Sequence, residues 1–133
     1  MEMKMNIDFP GGDRVDAHID VITIPTDQIY PYKEDSIPAP FDLFTASIGT
    51  CAGIYVLRFC RERNISTERV SIEQRMEFDE SIGMMTKVEL EIQVPPDFPQ
   101  KYYKALVRSA NQCAVKKHLE TPPEFETYTK VIE

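Results

Sequence analysis

Between Leu43 and Leu57 the chain runs 15 residues without a charged side chain. Pro40 suits the first turn of a helix, Phe41 to Arg63 then runs free of proline, and Asn64 suits a C-terminal cap. One long helix is predicted there. It is apolar on every side from Leu43 to Phe59, so it has to be wrapped by sheet and helix together. A bilayer span needs about 20 apolar residues, and this run contains Thr45, Ser47, Gly49 and Thr50, so it reads as the buried centre of a fold. A chain of 133 residues fits one domain, residues 1–133, built around such a helix.

The flanking segments alternate with the two-residue period of strands. Met3 to Phe9 and Arg14 to Ile24 read as a hairpin about the turn Pro10-Gly11-Gly12-Asp13. Residues 25–40 hold Pro25, Pro31, Pro38 and Pro40, and read as a long surface loop. Arg69 to Asp79 and Thr86 to Val94 form a second hairpin across Glu80-Ser81-Ile82-Gly83. Phe98 to Ser109 fits a helix with Tyr102, Ala105 and Leu106 inward, Cys113 to Leu119 a short one, and Phe125 to Val131 a closing strand. The fold class is therefore α+β: two antiparallel β-hairpin units with a long buried central helix.

The net charge of −7 works against binding a polyanion, so nucleic acid is not an expected partner. The N-terminus lacks the apolar core of a signal peptide, and the cytoplasm is the expected location, with no membrane partner. Three cysteines cannot form a fully paired disulfide framework. None sits at CxxC spacing, which argues against a zinc centre, and no cofactor is called for. His18 and His118 read as hydrogen-bonded strand and helix residues, and the acidic hairpin face with Glu73, Glu77, Asp79, Glu89 and Glu91 as a solvated sheet surface.

Cys51 lies on the long helix among Gly49, Thr50, Ala52 and Gly53. Two glycines at about 1 kcal/mol each against alanine need a reason, either close packing or an open path to the sulfur. Cys60 is nine residues on, about half a turn round the helix and about 13 Å along it, so these two thiols cannot meet. Cys60 reads as core. Cys113 begins its short helix, where backbone N–H groups favour a thiolate, with Ser109 or Asn111 as nearby caps. A mid-helix Cys51 gains little from its own helix and needs a positive neighbour, for which Arg58 and Arg14 are the candidates.

The stretch Pro40-Phe41-Asp42-Leu43-Phe44-Thr45-Ala46-Ser47-Ile48-Gly49-Thr50-Cys51, followed about sixty residues on by Asn111-Gln112-Cys113-Ala114-Val115, resembles the OsmC/Ohr family. A proline-led helix of the pattern P-x-x-L-F/L-x-A-S/A-x-G/A-x-C and a later C-x-V cysteine are that family's two fingerprints. The resemblance implies an intertwined homodimer whose two central helices pack back to back inside shared sheets. It also implies a thiol peroxidase in which Cys51 attacks the O–O bond of an organic hydroperoxide and Cys113 resolves the sulfenic acid as an intramolecular disulfide. A dithiol reductant, in one branch a lipoyl group on a partner protein, then regenerates the pair. The family's glutamate, ten residues before the first cysteine, falls on Phe41, with Asp42 one place later. Its arginine after a Gly-Gly turn falls on Arg14, displaced by one residue. Arg14 and Asp42 thus join Cys51 and Cys113 as the residues the resemblance assigns to catalysis. The competing reading is a binding protein that holds a small apolar ligand in the dimer cleft, with ordinary thiols.

Overall fold

The structure is a computed structural model describing residues 1–133. The chain forms two compact units, residues 1–46 and 47–133. In the first, strands β1 (Asn6–Gly11), β2 (Arg14–Ile19) and β3 (Ile22–Thr26) form an antiparallel sheet in the order β1-β2-β3. Gly12 turns the chain from β1 to β2 at a φ of 56°, a left-handed conformation that glycine adopts without a Cβ penalty. The single strand expected over 14–24 is in fact two. Asp20, at a φ of 51°, and Val21 turn the chain, and Ile19 pairs with Ile22. A two-residue turn pairs residue i with i+3, so the alternation changes phase across it, at the adjacent apolar residues Val21 and Ile22.

Residues 27–39 form the expected loop, closed at its neck by the Asp27 N–H donating to the Pro38 carbonyl at 3.2 Å. Helix α1 (Pro40–Glu62) starts where Asp42 accepts the Ala39 N–H at 3.0 Å, half of a capping box. It ends at Asn64, whose φ is 56°, as expected of a C-terminal cap. The Ile65 N–H reaches the Cys60 carbonyl at 2.8 Å and the Asn64 N–H the Arg61 carbonyl at 3.2 Å, a Schellman closure.

In the second unit, β4 (Ser71–Asp79) and β5 (Met84–Gln93) form an antiparallel hairpin. A turn of 3₁₀ helix at Gln100–Tyr102 leads into α2 (Tyr103–Ala110), and α3 (Ala114–Glu120) follows. Ala52, Val56, Phe59 and Cys60 of α1 make the core with Phe98, Leu106 and Ala110, and Ile72, Leu90 and Ile92 of the hairpin pack against it. Although α1 is long and apolar enough by length and composition to cross a bilayer, this burial is what its hydropathy serves here. The other hairpin face carries Arg75 bonded to Glu73, Glu89 and Glu91, an exposed ladder as expected.

Two expectations need correction. Within the chain α1 is not wrapped on all sides: Thr50, Ile54 and Arg58, four residues apart, form an exposed stripe, with Ile54 at 43% exposure. Residues 121–133 form no strand, and Phe125, Tyr128 and Val131 are exposed. Alternation makes a segment suited to a strand, but only a sheet edge that takes its N–H and C=O groups makes it one.

Leu106 is 3% exposed in the core and its neighbour Val107 is 51% exposed. Leu106→Ala is expected to lose about 2–5 kcal/mol in urea unfolding and Val107→Ala less than about 0.5 kcal/mol. Equal losses would contradict this core.

Candidate active site

The core packing of α1 carries Cys51 to a half-buried position in the second unit. Gly49 has a packing reason: a Cβ there would lie 2.4 Å from Oε1 of Gln74 on β4, so the helix meets the hairpin closely at this point. Two residues along a helix is about 200° round it, so this contact lies on the opposite side from the thiol. A Cβ on Gly53 would meet only Ile72 Cδ1, at 3.9 Å, an ordinary contact.

Cys113 stands immediately before α3 and is its N-cap. Its sulfur accepts the Lys116 N–H at 3.4 Å, so neither Ser109 nor Asn111 performs that task. Cys113 is 2% exposed, its thiol donates to the Ile48 carbonyl at 4.0 Å, and the Cys51 thiol lies beside it. The backbone N–H groups of Val115 and Ala114, in the first turn of α3, favour the charged form of Cys51. The first turn of one short helix therefore serves two sulfurs, one at its cap and one arriving from α1.

This arrangement drives the two thiols in opposite directions. The Val115 N–H, then the Cys113 side chain, and also the Ala114 N–H hold the Cys51 pKa below the ordinary thiol value against the effect of burial. Burial first, and then the Cys51 sulfur beside it, push Cys113 up, although the Lys116 N–H pulls the other way. The sequence-based expectation that the α3 terminus would favour a thiolate at Cys113 is thus corrected, since the benefit falls on Cys51. The two thiols are thus biased apart, Cys51 toward thiolate and Cys113 toward neutral thiol. Cys60 has no exposed surface and is pushed up by burial, in keeping with a core role.

A cavity of about 240 Å³ lies beside Cys113, with apolar walls from Ile48, Ala52, Leu90 and Leu119. Lys116 and Asn111 also line it, their Nζ and Oδ1 atoms 3.1 Å apart.

The other two residues assigned by resemblance lie in the first unit. Arg14, just after the Gly11-Gly12 turn, donates Nη2 to both oxygens of buried Asp16, at 2.9 and 3.1 Å. Its Nε is enclosed without a hydrogen-bond partner. Asp42 accepts from Ala39 and from the Tyr32 hydroxyl, so its carboxylate is engaged in starting α1 and tying down the loop. The carboxylate that holds Arg14 is Asp16, which the sequence reading missed although i and i+2 share a strand face. Asp8, Asp16 and His18 bring ligand-type atoms within 4.8 Å of one another. There His18 is hydrogen-bonded to Asp8 at 3.0 Å and to Thr23 at 3.1 Å, and Arg14 already supplies a cation to Asp16. The cluster reads as an ion-pair network, not a metal site. Arg58, the other candidate cation, lies over the Tyr55 ring at 5.8 Å.

An antiparallel α+β fold with two hairpin units and a long helix defines the class of the protein by its architecture. The family model for "OsmC-like protein" matches residues 33–128, and the chain belongs to that family. An osmotic stress and detoxification response protein from Psychrobacter arcticus is 20% identical, with 88% of each chain covered and a TM-score of 0.68. The organic hydroperoxide resistance protein OhrB of Bacillus subtilis is 21% identical over 90% of this chain and 93% of that one, with a TM-score of 0.51. An organic hydroperoxide resistance protein from Elizabethkingia anophelis is 18% identical over 92% and 91%, with a TM-score of 0.57. At these identities the likeness is one of fold. No curated protein sequence matches the chain.

Because a lowered pKa leaves more thiolate at neutral pH, the alkylation rate of Cys51 should rise with a midpoint below that of an ordinary thiol, and that of Cys113 above it. At pH 7, iodoacetamide should modify Cys51 first, and Cys60 only on unfolding. Mass spectrometry of the peptides reads the order, and Cys113 labelling ahead of Cys51 would contradict the site.

Proposed function

We propose that this protein is a cytoplasmic thiol peroxidase that reduces organic hydroperoxides to alcohols. The observation that carries the reading is the pair of adjacent thiols, Cys51 biased to thiolate and Cys113 to neutral thiol. Family membership and the names of the Bacillus and Elizabethkingia relatives point the same way.

In the reaction the Cys51 thiolate attacks the outer peroxide oxygen, the O–O bond breaks, and the alkoxide takes up a proton and leaves as alcohol. Cys51 is now a sulfenic acid. The Cys113 sulfur displaces its hydroxyl, which leaves as water with the Cys113 proton, and a Cys51–Cys113 disulfide results. A dithiol, free or lipoyl-bound on a partner protein, returns both thiols and is itself oxidised. We carry Arg14 over as the cation of the reaction and assign the carboxylate that braces it to Asp16, since Asp42 caps α1. The exposed Ile54 stripe on α1 and the exposed apolar residues Phe125, Tyr128, Val131 and Ile132 support assembly as a homodimer. A second reading, a carrier of a small apolar ligand, draws on the cavity beside Cys113.

Purified protein given cumene hydroperoxide and dihydrolipoamide is expected to turn over, faster than with hydrogen peroxide or a monothiol. Cys51→Ser should abolish turnover, Cys113→Ser should stop after one equivalent with a dimedone-reactive sulfenic acid, and Arg14→Gln should lower kcat/KM by about a hundredfold. Wild-type protein with reduced Cys51 that consumes no more peroxide than Cys51→Ser would overturn the enzyme reading and favour the carrier. Sedimentation tests the assembly: a dimer for wild type, and a shift to monomer for Ile54→Arg.

A further inference from the structure

We infer that the exposed face of α2 and α3 is the docking surface for an acidic protein that carries the reducing dithiol. The inference rests on the proposed cycle for the need of a dithiol, and adds what presents it and where it lands. Its basis is the distribution of charge. From Phe98 to Leu119 the chain holds five Lys and Arg residues, Lys101, Lys104, Arg108, Lys116 and Lys117, and no Asp or Glu. The other ten Lys and Arg share the rest of the chain with all 22 Asp and Glu. A protein that is acidic as a whole thus gathers a third of its cations in the segment that contains Cys113.

All five residues are exposed, and their one ion pair is between Lys116 and Glu120, at 3.9 Å. Lys101, Lys104 and Arg108, spaced three and four apart, share a side of the chain as it passes from the 3₁₀ turn into α2. Beside them Tyr103 and Val107 are 41% and 51% exposed, and with Lys104 and Arg108 they line a shallow groove of about 400 Å³. Exposed apolar groups rimmed by cations without an ion pair have the make-up of a protein interface, with side chains to be covered and charges to orient what covers them. Those cations call for carboxylates on the partner. The β4–β5 hairpin of the same unit presents Glu73, Glu77, Asp79, Glu89 and Glu91, so a broad anionic surface such as a membrane gains from the basic face and loses against the hairpin. Screening over about 8 Å at physiological salt lets a compact acidic partner feel the basic face alone.

The face ends at the thiols. Ala110, two residues beyond Arg108, lines the cavity beside Cys113, and Lys116 and Leu119 of α3 line it too. A protein seated on α2 can send a flexible dithiol arm into that cavity, whose Ile48, Ala52 and Leu90 walls suit an alkyl chain. One thiolate of the arm attacks the Cys113 sulfur, the Cys51–Cys113 bond breaks, and Cys51 leaves as thiolate and takes up a proton. Cys113 is then held to the arm in a mixed disulfide. The second thiolate of the arm displaces Cys113, which takes up the other proton, so the arm is oxidised to a disulfide and both thiols are restored. Cys113 is 2% exposed, and docking raises the effective concentration of a dithiol at a sulfur that few free molecules reach.

The probe is a short synthetic peptide rich in glutamate around a central dihydrolipoyl-lysine, with a control peptide that has glutamine for each glutamate. Fluorescence anisotropy on the dithiol form of the full chain reads binding with no redox step. The glutamate peptide is expected to bind about tenfold tighter than the control at low salt, and the double variant Lys104→Glu, Arg108→Glu to lose that preference. With the disulfide made by diamide, thiol recovery should be about tenfold faster with the glutamate peptide, a gain lost at high salt and in the double variant. Free dihydrolipoamide should reduce both proteins at one rate. Peptides that bind alike, or a double variant that keeps the preference, would overturn the inference. A double variant that sediments as a monomer where wild type is a dimer would do so in favour of a second copy of the chain. Wild-type binding to phosphatidylserine vesicles that the double variant loses would do so in favour of a membrane. A protein that binds and is reduced by the glutamate peptide yet turns over no hydroperoxide would overturn the peroxidase reading and leave the docking surface standing.

Discussion

The burial of one stripe of α1 is the constraint on which the second unit depends. Ala52 and Cys60 have no exposed surface, and with Val56 and Phe59 they seat the helix against α2 and the β4–β5 hairpin. A close-packed interface of this kind does not tolerate rotation of the helix by a fraction of a turn, since each side chain would leave its contact. Cys51 is one residue from Ala52, so its direction follows from the packing. Ala110, three residues before Cys113, belongs to the same core, so the second thiol is anchored by the contacts that orient the first.

The chemistry then follows from what surrounds two identical functional groups. A thiol in mid-helix has no help from its own backbone, whose N–H groups are all engaged in the helix. The Cys51 thiolate is favoured instead by N–H groups in the first turn of another helix, where helical N–H groups lack intrahelical partners. Cys113, beside it, is pushed up, chiefly by burial. The difference in reactivity therefore comes from position relative to the start of α3.

The first unit repeats this division of labour with charged groups. Arg14 and Asp16 occupy one face of β2 and satisfy each other, while Asp42 satisfies the start of α1 and the Tyr32 hydroxyl. Family resemblance alone would have given Asp42 the guanidinium. A carboxylate one place out of step along a helix points about 100° away, and here it meets a capping duty and a tyrosine. The neighbouring strand position supplies the replacement.

Much of this was readable from sequence by local rules. The long helix and its Asn64 cap, the second hairpin and the two cysteine motifs follow from periodicity, backbone preference and spacing, all of which act within a few residues. The separation of Cys60 from Cys51 follows from helix geometry alone. Other features had no local signature. The turn at Asp20 is marked only by a change of phase between Val21 and Ile22, and the segment from Phe125 to Val131 has the composition of a strand without an edge to pair with in the chain. The groups that favour the Cys51 thiolate are backbone N–H groups of Ala114 and Val115, which no residue type announces. The sequence by itself determined which residues carry sulfur and which elements bear them. Only the tertiary structure decided which sulfur is biased toward thiolate, because that depends on where one helix begins relative to the flank of another, more than sixty residues away.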